Sequence, residues 1–356
     1  MLRNRTVAAA GATGGTALVL WLLCGLIFDR PSSRSLVEVY SPAPPVGWVL
    51  GAGFGTAGTV LSVLVLMVAA ALIAYLPLRS TRSTRAVVVV AVWGAVLLAA
   101  ALAGATTALV LQSDVAFDGS LSWAFARGNA VRAAWWALLT GWVPALVAVA
   151  VRGPGEVADD AARSRIGVRT ATIAALVAGV VGGAGWWLTG VLHQWAAGEL
   201  ATVRRDTGRT LQQVVEALLP VSRGSSMLGT ESSDVAAFAA GAAVLLVVVV
   251  LVGWGVARGA AVPGGRAALV LVVWFATVVG SAAACAVALL PLAEAVGGSA
   301  NLRLYAMGPV LSAVGWGALY GWVPGLIALL VARVLARRTE AKAEPVRDLV
   351  EPHAAP

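Results

Sequence analysis

Gly141-Trp142-Val143-Pro144 recurs as Gly321-Trp322-Val323-Pro324, and the two copies lie 180 residues apart. A Gly-Trp-x-Pro string inside an apolar run is chemically unusual, and finding it near the end of each half points to one membrane unit duplicated in tandem. The likeness extends outward when 124–152 is laid on 304–332. Gly128/Gly308, Trp136/Trp316 and Leu139/Leu319 are identical, and Phe125/Tyr305 is a close match. Upstream, Trp93 pairs with Trp274, while Trp21 and Gly25 pair with Trp186 and Gly190, in the same order along the chain.

Composition sets the class. Apolar residues make up 60% of the chain and charged residues 12%, against about half and about a quarter in soluble domains. The mean hydropathy of +0.88 agrees. A helix needs about 20 mostly apolar residues to cross the hydrocarbon core. Eight runs qualify: 7–28, 56–78, 86–111, 131–151, 170–192, 235–257, 267–291 and 309–332. Unbroken stretches such as Val244 to Val252 lack the period-two alternation of a transmembrane barrel. The fold expected is therefore all-α and integral to the membrane, with eight transmembrane helices arranged as two four-helix repeats over 1–155 and 165–335. Four spans per repeat is an even number, so both repeats share one orientation and are parallel, related by a pseudo-two-fold axis along the membrane normal.

The charge of +8 comes from arginines in short connections and shows no basic stripe interleaved with aromatics, so nucleic acid is not an expected partner. Arg3, Arg5, Arg79, Arg82, Arg85, Arg152, Arg163, Arg165, Arg169, Arg258, Arg266, Arg333, Arg337 and Arg338 all fall on one side of the membrane under this topology. The positive-inside rule makes that side cytoplasmic, with both termini there. A bacterial plasma membrane is the expected location. The run from Val7 to Phe28 is longer than a signal h-region and reads as a retained span. Cys24 follows Leu23, where a lipoprotein site wants a small residue, and Cys24 and Cys285 read as plain core residues.

The repeated motif has a definite physics. Ala137, Gly141 and Ala145, and likewise Gly317, Gly321 and Gly325, are four apart and form a flat stripe that admits a close neighbour. Pro144 and Pro324 free the carbonyls of Thr140 and Tyr320. Trp142 and Trp322 sit at mid-span, below the headgroup level where tryptophan gathers, and their N–H groups call for acceptors inside the bundle. The candidate site is thus a mid-membrane seam of Thr140, Gly141, Trp142, Pro144, Tyr320, Gly321, Trp322 and Pro324. It is either a kinked, tightly packed helix contact or the lining of a substrate or lipid path.

Chemistry-bearing residues are sparse. No ionisable side chain falls in the core of the eight spans, Arg132 standing at the outer start of the fourth; such residues mark proton relays and ion sites. His193 and His353 are the only histidines, no glycine-rich loop is followed by Lys-Ser or Lys-Thr, and Glu156, Asp159 and Asp160 share a loop with four arginines. No enzymatic activity, cofactor or metal is expected. The long external loop 193–234 carries helical periodicity over Glu199–Leu219, and the tail 339–356 has no apolar face and reads as disordered. The expected function is a non-catalytic membrane component or partner subunit of the cell envelope. Its partners would be the lipid bilayer and another membrane protein. The alternative is a transporter or permease for a small apolar or lipid-like molecule.

Overall fold

The computed structural model describes residues 2–28, 56–79, 84–113, 119–153, 167–202, 232–258, 266–289 and 299–347. All regular structure among them is helical. The helices are α1 (Leu2–Phe28), α2 (Thr56–Leu78), α3 (Arg85–Ser113), α4 (Gly119–Thr140), α5 (Trp142–Arg152), α6 (Val168–Thr202), α7 (Ser232–Ala257), α8 (Arg266–Ala288), α9 (Ser299–Tyr320) and α10 (Trp322–Arg347). Seven apolar stretches are each long enough to cross a membrane. The pair α4 and α5, bent by 54° at Gly141, forms an eighth if taken as one span. A multi-pass membrane protein is what these lengths describe.

The helices pack by neighbourhood. α1 lies on α2 and α5, α2 on α3, and α3 on α4 and α5. Further along, α6 lies on α7 and α10, α7 on α8, and α8 on α9 and α10. The first five helices meet the last five mainly through α3 with α8 and α4 with α9, with smaller contacts of α2 with α8 and α3 with α7. α3 and α8 form the centre, with 61% and 67% of their apolar stretches buried, against 22% for α7. The outer helices turn bare aliphatic side chains outward, among them Leu72, Leu188, Leu251 and Leu330. In water this would drive aggregation, and in hydrocarbon it costs nothing.

Lipid tails are as apolar as leucine, so no hydrophobic force draws these helices together, and close packing must. Glycine makes that approach possible. At Gly94, where α3 crosses α8, an added Cβ would stand 3.1 Å from the Leu271 carbonyl oxygen. At Gly317 it would meet Ser281 Oγ at 2.5 Å and Val278 Cα at 2.7 Å. Ala137 on α4 belongs to one buried cluster with Ala100 and Ala133. α5 ends at Gly153, whose φ of 75° suits a residue without a Cβ; its N–H donates to the Val149 and Ala150 carbonyls.

Two expectations need comment. The last helix continues to Arg347, into the tail that composition marks as disordered. Extending an anchored helix needs no new nucleus, and Thr339-Glu340-Ala341-Lys342-Ala343-Glu344 is mostly strong helix formers. The amphipathic stretch Glu199–Leu219 is described only to Thr202, where it continues α6; the rest, the acidic residues Glu156, Asp159 and Asp160, and 348–356 lie outside the described residues.

Gly317→Ala is expected to destabilise the detergent-solubilised protein by about 1–3 kcal/mol, the usual cost of overpacking. Gly15→Ala, where nothing lies within 4 Å, should be neutral or slightly stabilising. Thermal unfolding of both variants side by side reads the difference.

Candidate functional site

Each Gly-Trp-Val-Pro string interrupts a helix at its glycine, and each interruption is covered by a tryptophan from the central helix of the same half. Trp93 of α3 donates its indole N–H to the Ala137 carbonyl at 2.9 Å. Trp274 of α8 donates to the Ala318 carbonyl, also at 2.9 Å. Ala137 precedes Gly141 by a full turn, and Ala318 precedes Gly321 by one residue less, so the two bonds are alike but not in identical register. The glycines are required by contact. A Cβ on Gly141 would stand 2.7 Å from Trp93 Cδ1, and one on Gly321 would stand 3.1 Å from Trp274 Cδ1 and from Thr277 Cβ.

The small-residue stripes therefore face inward within their own halves. Ala137, Gly141 and Ala145 are buried toward α3, and Gly317, Gly321 and Gly325 toward α8, where a Cβ on Gly325 would lie 2.9 Å from the Val270 carbonyl. Pro144 and Pro324 are buried with them. The Ala145 N–H reaches the Gly141 carbonyl and the Gly325 N–H the Gly321 carbonyl, each at 3.3 Å, so helical bonding resumes at once past each break. The Thr140 hydroxyl donates to the Trp136 carbonyl of its own helix at 2.8 Å.

Trp142 and Trp322 behave otherwise than their sequence suggests. Both point out of the bundle, 46% and 52% exposed, and the Trp142 N–H is satisfied locally by the Leu139 carbonyl at 2.9 Å. The acceptor expected inside the bundle is thus supplied by the helix's own last turn. Thr140 and Tyr320 are half-buried. The eight seam residues divide into a packed group (Gly141, Pro144, Gly321, Pro324), an outward pair (Trp142, Trp322) and two hydroxylated residues at the helix ends.

A second set of tryptophans packs ring against ring. Trp21 meets Trp136 edge-to-face with ring centroids 4.8 Å apart, and Trp186 meets Trp316 likewise at 5.1 Å. The indole nitrogens of Trp136, Trp186 and Trp316 are buried without a hydrogen-bond acceptor. Edge-to-face packing sets the positive rim of one ring against the negative face of the other, a contact suited to indoles in dry surroundings. Trp316 also packs on Tyr320 at 5.7 Å.

Three residues of this region carry more than the sequence suggests. Trp93 and Trp274 read only as repeat markers; their bonding role depends on a backbone acceptor, which leaves no trace in side-chain chemistry. Arg127 lies outside the span expected at 131–151, yet it is half-buried on α4. Cys24 and Cys285 are free thiols that belong to different core clusters. Among the described residues no group of histidine, cysteine, aspartate and glutamate is gathered as a metal site. The chain matches no family model, no curated protein and no solved structure.

Trp274→Phe keeps the ring over Gly321 and deletes the N–H. It should cost about 0.6–1.7 kcal/mol, the range for hydrogen bonds between membrane helices. Trp142→Phe, at an exposed and locally bonded indole, should cost less. Reversible unfolding in mixed micelles would give both values; equal losses would deny the cross-helix bond its special standing.

Proposed function

We propose that this protein is a non-catalytic multi-pass component of a bacterial plasma membrane, a partner subunit or scaffold built from two like-oriented four-span repeats. The observation that carries this reading is the packing at the paired Gly-Trp-Val-Pro breaks. The glycines are covered by Trp93 and Trp274, while Trp142 and Trp322 face outward at mid-span. A seam filled by indoles is better suited to rigidity than to passage. Bulky aromatics on the outside of a bundle, away from the headgroup level they usually favour, offer contact surface to another membrane helix.

The repeat is supported from several sides. Neighbour contacts correspond pair for pair: α1–α2 with α6–α7, α2–α3 with α7–α8, α3–α4 with α8–α9, and α1–α5 with α6–α10. The edge-to-face pairs join residues that match by sequence, Trp21 with Trp186 and Trp136 with Trp316. Burial over 141–150 runs in the same order as over 321–330. The arginine-rich ends of the helices favour cytoplasmic termini under the positive-inside rule.

Two measurements test the reading. A photo-crosslinking amino acid at 142 or 322 in native membranes should capture the same protein from either position, and Leu330, also exposed, should yield lipid adducts. Lipid adducts at all three would remove the partner-subunit reading. With Cys24 and Cys285 replaced by alanine, Thr140→Cys should resist a water-soluble maleimide from both sides of the membrane. Labelling would instead favour a permease with a hydrated path.

A further inference from the structure

The arginine-rich edge of the bundle holds one cation in a fixed orientation. Arg258 follows directly on the apolar stretch Ala236–Gly255 of α7, which places it at headgroup level. Its guanidinium lies over the Trp254 ring, 4.7 Å from the centroid. That ring is itself held, because the Trp254 indole N–H donates to Thr172 Oγ1 of α6 at 3.0 Å. The Thr172 hydroxyl in turn donates to the Val168 carbonyl at 2.9 Å. The chain of contacts runs from the α6 backbone through Thr172 and Trp254 to the guanidinium.

Stacking has a chemical consequence. A guanidinium held over an indole face is confined by that contact, and its planar N–H fork remains open to oxygen acceptors. Arg258 is exposed, and among the described residues it makes no ion pair. Arg169, also exposed, stands one turn before Thr172 on the same face of α6 and adds a second positive charge. A guanidinium held in place at the membrane boundary, with no ion-pair partner among the described residues, is complementary to a phosphate group.

We propose that Arg258, oriented by Trp254 and Thr172 and supported by Arg169, binds the phosphate of an anionic membrane lipid at the arginine-rich edge. The inference stands on the geometry of α6 and α7 and is independent of the partner-subunit reading. Native mass spectrometry of the purified full chain, titrated with phosphatidylglycerol and with phosphatidylcholine, tests it. Phosphatidylglycerol should be retained in preference. Arg258→Ala should weaken that retention about five-fold, the effect of one arginine near an anionic surface. Arg258→Lys should recover only part of that loss, since an ammonium restores the charge but not the planar fork. Arg338→Ala, a change at another exposed arginine, should leave it unaltered. Glycerol phosphate as a soluble competitor separates the two sources of phosphate. Displacement would assign the corner to phosphate alone, and no displacement to a lipid headgroup. Equal losses for Arg258→Ala and Arg338→Ala, full retention by Arg258→Lys, or equal binding of the two lipids would overturn the proposal.

Discussion

The bond from the Trp93 indole to the Ala137 carbonyl, with its counterpart from Trp274 to Ala318, is the contact on which the bundle depends. Helices surrounded by hydrocarbon gain nothing from hiding apolar surface, so their association rests on close packing and on polar groups that lipid cannot serve. Both resources meet here. A glycine lets an indole approach to van der Waals distance, and a carbonyl in the turn before it accepts the N–H. The break around each proline is confined to about one turn, because bonding resumes at Ala145 and Gly325. The 54° bend between α4 and α5 is accommodated because Trp93 fills the angle.

Much of this was legible in the sequence, and the reasons differ by element. The spans could be read because hydrocarbon thickness dictates helix length, and the strings at Gly141 and Gly321 marked where two helices break. The direction of Trp142 and Trp322 could not be read. In helices apolar on every side, periodicity does not distinguish a lipid-facing residue from a core residue, and the break resets the helical phase. The partner of Trp93 was hidden for a related reason: a backbone carbonyl belongs to every residue alike. Arg127 escaped notice because hydropathy judges position along the chain, whereas a long side chain can carry charge well away from its own Cα.

Ser281 and Thr277 stand on α8 where Gly317 of α9 faces them. Both hydroxyls donate to carbonyls of their own helix, so neither leaves a polar group unsatisfied in a dry interior. Volume added on one helix is matched by volume removed from its neighbour, as interiors near crystal density require.

The central pairing of α3 with α8 has a consequence for synthesis. Gly94 and its neighbours on α3 meet a helix that begins only at Arg266. A ribosome adding about 5–20 residues per second emits α8 several seconds after α3. During that interval the face of α3 that will hold α8 must rest against lipid or against the insertion machinery. The first four spans are thus committed to the membrane before their central contact exists, and the closing event of folding is the arrival of the second half.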